Sequence, residues 1–266
     1  MYVVKADGRR ETFSKEKIIN TCLKAGTDRK KAEEISGKVF SSVKDGIATK
    51  EIYRMILNLL EKASHRSSFF FRLRDAIAKL DSESYELYVK ELLESMGYKC
   101  SWNKIIAGKS VEHQVDIVAK NAKGRMFLVE CKRHVNPHRF CGLGVILQVQ
   151  ARLEDIDDGF ESGKNNCRFD QAWIFNNTKF SEHAKQYAAA KNILLSGWGY
   201  KGSISIEKLA GRNRIYPVTL LKADNSTIQQ LLRQKIITVE DVLKEKISMP
   251  KSVADELRKQ ARIILS

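Results

Sequence analysis

Asp116, Glu130 and Lys132 are the residues of this chain whose types and spacing point to chemistry. They lie in the stretch EHQVDIVAKNAKGRMFLVECKR, residues 112–133. Two runs of β-forming residues, Val115–Ala119 and Met126–Cys131, flank the polar turn Asn121-Ala122-Lys123-Gly124, which is the pattern of a hairpin. Side chains alternate along a strand, so Glu130 and Lys132 share one face and Val129 and Cys131 the other. With the turn centred near Lys123, Asp116 lies opposite Glu130. Opposed side chains are about 5 Å apart at Cβ, and like charges there destabilise the pair. A compensating cation is required. Lys132 is one; a divalent metal is a better one, because hard cations take carboxylate and carbonyl oxygens. An acid pair, a lysine and a metal on one sheet face suit phosphodiester hydrolysis, with the metal stabilising the phosphorane charge and acidifying an attacking water. The plain alternative is a solvated strand face with a cross-strand ion pair, which contributes little. The apolar run Met126–Val129 speaks against it, because charges at the end of a buried strand are costly unless used.

Several elements must position these groups. A helix is expected over Ser84–Met96, with Tyr85, Val89, Leu92, Leu93 and Met96 on one face and Gly97 as its stop. Glu86 sits beside that stripe, either as a solvated helix charge or as a third carboxylate aimed at the metal face. A strand over Tyr98–Trp102 leads into the hairpin. The spacing of Cys131, His134, His138 and Cys141 invites a zinc reading. It fails because Cys131 faces the core and Pro137 blocks the helix that would gather the histidines. Arg133, His134, His138 and Arg139 are then read as contacts to a phosphate backbone, or as an ordinary polar loop. A helix over Gly144–Phe160 buries Val145, Val149, Leu153 and Ile156, with Gln148 at its edge; Asp155, Asp157 and Asp158 read as its solvated end. A strand over Gln171–Phe175, a helix over Ser181–Lys191 and a strand over Ile193–Leu195 complete the sheet, and Lys201–Arg214 reads as a basic surface segment.

The aspartate, then thirteen residues, then Glu-Cys-Lys, behind an amphipathic helix, resembles the PD-(D/E)xK nuclease superfamily, in its Mrr-type restriction endonuclease branch. The resemblance covers roughly Ser82 to Lys208. Its parts are YELYVKELLESMGYKC with Glu86 at the family's acidic position, VDIV, FLVECKRH, Gln148 in the following helix, and AWIFNNTKFSEHAKQYAAAKNILLSGW. One departure is Glu112-His113-Gln114, where the family often has glycines. The resemblance implies a mixed α/β sheet flanked by helices and a Mg²⁺- or Mn²⁺-dependent endodeoxyribonuclease. Asp116, Glu130 and the Cys131 carbonyl would ligate the metal. Lys132 would orient or deprotonate water, with Gln148 and Glu86 in support.

The N-terminal stretch opens with YVVKADGRRETF, where strand residues flank Asp7-Gly8, a two-residue hairpin signal. Ser14 and Thr49 read as helix caps, a second helix follows Asp28, and a fourth covers about Ser67–Leu80, giving a ββαααα module. V-x-K-x-D-G (Val3 to Gly8), Glu11, Phe13, Lys17-Ile18 and T-x-E-I (Thr49 to Ile52) followed by Tyr53 resemble the ATP-cone, a regulatory nucleotide-binding domain. The resemblance implies ATP or dATP as effector, bound through Val4, Lys5, Gly8, Glu11, Lys17, Thr49 and Tyr53. Lys5 and Lys17 would hold phosphates and Tyr53 would lie near the base. Ala6 departs from the basic residue often found there. The alternative is a helical module that packs or grips DNA without nucleotide.

Domains are expected at 1–80, 81–215 and 220–266, the last a helical tail with Thr238 and Ser252 as caps and a packing or dimerising role. The net charge of +15 over 266 residues favours a polyanion such as DNA. No apolar run is long enough to span a bilayer, and Met1-Tyr2-Val3-Val4 passes at once into charges, so no leader is expected. Five scattered cysteines fit reduced thiols in a cytoplasm. No P-loop motif is present, which makes ATP an effector and not a fuel. The expectation is a nucleotide-regulated, metal-dependent DNA endonuclease of restriction or repair, acting as a homodimer to cut both strands. The alternatives are a nucleotide-responsive DNA-binding regulator with an idle nuclease site, and a structure-selective resolvase.

Overall fold

The computed structural model describes all residues except Ala6 and Ser64, and the side chains of His65 and Arg66 are likewise outside the description. The chain forms two units, Met1–Leu73 and Arg74–Ser266. In the first, β1 (Tyr2–Val4) and β2 (Arg10–Thr12) pair antiparallel with Val4 opposite Arg10. Their connection is longer than a two-residue turn. Lys5 N–H donates to the Arg9 carbonyl at 2.8 Å and Gly8, at φ +81°, donates to the Lys5 carbonyl at 3.0 Å. Gly8 thus supplies the left-handed residue of a wider loop; Ala6 lies outside the described residues. Helices α1 (Lys15–Lys24) and α2 (Arg29–Ser42) start at Ser14 and Asp28, whose side chains accept the N–H of Lys17 and Lys31. A third strand, β3 (Ile47–Ala48), pairs parallel to β1. It is too short to announce itself by alternation. Thr49 is the first residue of α3 (Thr49–Ala63) and not its cap, and α4 (His65–Lys79) carries the division between the units.

The second unit is built on a five-stranded mixed sheet. Helix α5 (Ser82–Ser95) starts where Asp81 accepts the Ser84 N–H at 2.7 Å, and it buries Tyr85, Tyr88, Val89, Leu92 and Leu93, the spacing of a single helical face. Gly97 stops the helix at φ +86°, a conformation that suits residues lacking a Cβ. Strands β4 (Lys99–Ala107), β5 (Glu112–Lys120) and β6 (Met126–Lys132) are antiparallel neighbours. After β7 (Phe140–Cys141) and α6 (Leu143–Glu161), β8 (Gln171–Asn176) joins β6 in parallel. It is buried at every position, as a central strand covered on both faces should be. β9 (Lys179–Phe180), α7 (Glu182–Ala190) and β10 (Leu194–Ser196) follow, and the sheet runs β10-β8-β6-β5-β4. Ile146, Val149 and Ile156 of α6 and Ala184 and Ala188 of α7 pack with Leu128, Ala172 and Ile174 of the sheet.

Three further expectations need correction. The basic segment Lys201–Arg214 contains α8 (Ile206–Asn213), with Ile206, Leu209 and Ala210 buried. Those positions follow helical spacing, and the surrounding lysines and arginines masked it. Asp155 is no solvated helix end. Its carboxylate accepts the N–H of Ser110 at 2.9 Å and meets His113 Nε2 at 2.8 Å, which ties α6 to the β4–β5 turn. In the tail, α9 (Asn225–Arg233) and α10 (Asp241–Lys244) are followed by α11 (Lys251–Leu265), which begins after Pro250 and not at Ser252. Proline suits a helix start because its missing N–H would be unpaired there.

Candidate active site

The hairpin brings the two acids together. The β5–β6 ladder ends at Ile117 opposite Val129, and one more step of that register sets Asp116 opposite Glu130. Asp116 closes the ladder with its side chain: Oδ2 accepts the Cys131 N–H at 2.7 Å. Glu130 is 3% exposed. A carboxylate so buried is costly unless paired, and this one is paired at both oxygens. Lys132 Nζ lies 2.7 Å from Oε1, and Arg152 of α6 donates through Nη1 to Oε2.

These charges act on each other. The Asp116 carboxyl is pushed up to about 7, first by burial and then by the charge of Glu130, against the pull of the Cys131 N–H. Burial draws the Lys132 ammonium down, but the hydrogen bond and charge of Glu130, and then Asp116, outweigh it, and its pKa is raised. Lys132 is therefore a cation at neutral pH. Glu86 on α5 belongs to the same neighbourhood: burial raises its pKa, the Trp102 indole N–H at 2.9 Å opposes that, and Glu130 adds to it. Gln148 is exposed on α6, one helical turn before Arg152 and so on the same face of that helix. Two carboxylates whose repulsion favours protonation of one of them fit a hard dication, which relieves that repulsion. Among the described residues no group of three or more His, Cys, Asp or Glu side chains stands ready to hold a metal. A cation here would rest on the acid pair and the Cys131 main-chain carbonyl.

The loop after β6 is fastened on both sides. Asn177 accepts the His134 N–H through Oδ1 and donates to the His134 carbonyl through Nδ2, each at 2.8 Å. Arg74 donates to the Pro137 carbonyl, and Arg133 Nη1 donates to the Ala78 carbonyl at 2.9 Å near the end of α4, where unpaired carbonyls favour a cation. Burial, with Arg139 and Arg133, lowers the His134 pKa. His138 and Arg139 are exposed, and Cys141 is buried in the core.

In the first unit, Glu11 gathers two lysines: Lys5 Nζ at 2.6 Å and Lys17 Nζ. Val4 pairs with Ala48, the residue before Thr49. Tyr53, one turn along α3 from Thr49, stacks on Phe71 with ring centroids 4.5 Å apart.

Arg152 and Trp102 touch the acids and were missed from sequence. The four-residue spacing from Gln148 to Arg152 was an available signal for the first. Trp102 carried none, since its indole reaches Glu86 only through the packing of β4 on α5.

Two family models match the chain. The Mrr-type restriction endonuclease catalytic model matches residues 77–197, and the ATP cone domain model matches residues 1–81. An uncharacterized protein of Archaeoglobus fulgidus is 36% identical over 152 residues, 57% of this chain and 82% of the relative. A transcriptional repressor NrdR of Caldicellulosiruptor saccharolyticus is 35% identical over 68 residues, covering 23% of this chain and 44% of the repressor. A crystal structure of a protein of unknown function, AF1548, superposes with a TM-score of 0.59 at 32% identity, covering 70% of this chain and 98% of that one. The chain belongs to the Mrr-type restriction endonuclease family and carries an ATP cone domain at its N-terminal end.

Proposed function

We propose that this protein is a Mg²⁺- or Mn²⁺-dependent DNA endonuclease whose activity responds to ATP or dATP. The observation that carries the reading is the acid pair Asp116 and Glu130 on adjoining strands, with Lys132 beside it, in a chain of this family. Asp116, Glu130 and the Cys131 carbonyl would hold the cation, which supplies positive charge for the pentacovalent phosphorus and lowers the pKa of an attacking water. Lys132, kept protonated by Glu130 and Asp116, orients that water and offsets charge on the phosphate. Gln148, on the same face of α6 as Arg152, would position water or phosphate, and Glu86, held by Trp102, would add a carboxylate. His138 and Arg139, exposed on a fastened loop, meet the backbone, while Arg133 and His134 hold that loop in place. The net charge of +15 favours such a partner. Cutting both strands calls for a second copy of the chain.

In the first unit, Lys5 and Lys17 would exchange Glu11 for nucleotide phosphates, with Val4, Gly8, Thr49 and Tyr53 around the nucleoside. A second reading, a DNA-binding regulator with an idle nuclease site, draws on the likeness of the N-terminal stretch to a transcriptional repressor. A plasmid-nicking assay separates the two. Cutting that needs Mg²⁺ or Mn²⁺, is lost in Asp116→Ala and changes with ATP is expected, with DNA affinity kept within severalfold. Unaltered cutting by Asp116→Ala, or DNA binding without any cutting, overturns the endonuclease reading.

A further inference from the structure

Glu130 has two oxygens and both are committed, one to Lys132 and one to Arg152. Asp116, by contrast, accepts a backbone N–H at one oxygen, from Cys131 at 2.7 Å. The positive charge of the site is thus concentrated on one acid of the pair. A dication needs an oxygen from each. Lys132 lies on the same strand two residues from Glu130 and can share that acid's face with a metal. Arg152 reaches in from a separate helix, and its side chain is 24% exposed, so it can turn outward without unfolding anything. A guanidinium stays charged at every working pH and matches carboxylate and phosphate oxygens equally well.

We propose that Arg152 is an exchangeable cation: it competes with the metal for Glu130 and, once displaced, turns to a DNA phosphate beside Gln148. The proposal rests on the endonuclease reading and adds to it a residue that tunes metal affinity and links metal binding to DNA binding. It predicts an opposed pair of effects that a merely structural ion pair would not produce. Removing the charge should tighten metal binding and weaken DNA cleavage in the same protein.

The test is Mn²⁺ binding to the full chain without DNA, followed by calorimetry and by the electron paramagnetic resonance signal of free Mn²⁺. Arg152→Gln should bind about tenfold more tightly than wild type, the scale of one hydrogen bond to a charged group. Arg152→Lys, which keeps the charge and loses the fork, should gain about threefold, and it serves as the arm that preserves folding if the glutamine variant does not fold. Cleavage at saturating Mn²⁺ should fall in every variant that folds. Unchanged or weaker Mn²⁺ binding in the folded variants overturns the exchange while leaving the endonuclease reading intact. Absence of any Mn²⁺ binding to wild type that Asp116→Asn removes would overturn both.

Discussion

Asp116→Asn should make the protein inactive and, at alkaline pH, more stable. The Asp116 carboxyl is pushed up from 3.8 to about 7 by burial and by Glu130. The folded state therefore holds this proton more tightly than the unfolded chain does. The sign follows: the contribution of this group is fully present below the unfolded value and is lost as pH rises through the folded one. At about 1.4 kcal/mol per decade, the gap sets a ceiling of about 4 kcal/mol. Asp116 keeps some solvent contact, which screens part of the repulsion, so about 2 kcal/mol is expected. Asparagine cannot ionise, and its carbonyl oxygen can still accept the Cys131 N–H. Urea unfolding with a chelator present, from about pH 3 to about pH 8.5, should then show the variant gaining about 2 kcal/mol over wild type as pH rises. Adding Mg²⁺ should stabilise wild type and not the variant, because a ligand stabilises the state that binds it. An advantage independent of pH, or none at all, would refute the account of a site strained by its own acids.

The partner acid should respond with the opposite sign. Glu130→Gln leaves Lys132 and Arg152 without their shared counter-ion; since those side chains are 36% and 24% exposed, the loss should be about 1–2 kcal/mol, below the 3–5 kcal/mol typical of a fully buried broken pair, and denaturant unfolding at neutral pH reads it. In the first unit, Lys5→Ala and Lys17→Ala should each weaken ATP binding by about tenfold in equilibrium titrations, while stability changes by less than about 1 kcal/mol, because their exposed ion pairs with Glu11 contribute little to folding.

The likeness of the central hairpin to its sequence reading is instructive. Val115–Ala119 and Met126–Cys131 were marked by alternation and by the turn between them, and a hairpin turn sets register within a few residues. That register carries Asp116 to Glu130, so the acid pair was legible before any packing was known. The cap at Ser14 was legible for the same reason: its hydroxyl accepts an N–H three residues away. Helix α8 was not, because its apolar positions are few and interleaved with lysine and arginine. Strand β3 was not, because two residues have no period, and its partner Val3–Val4 lies more than forty residues earlier.

By itself the sequence determined the local matters: which runs are strands and helices, where they stop, and which charges share a face of the hairpin. Tertiary structure alone decided which distant groups answer those charges. Arg152 meets Glu130 across 22 residues, Trp102 meets Glu86 across 16, Asn177 meets His134 across 43 and Asp155 meets His113 across 42. Periodicity and turn chemistry act over a few bonds and are written in neighbouring residues. Burial and charge pairing depend on the distance between elements, which exists only once the sheet has assembled and its helices have packed against it.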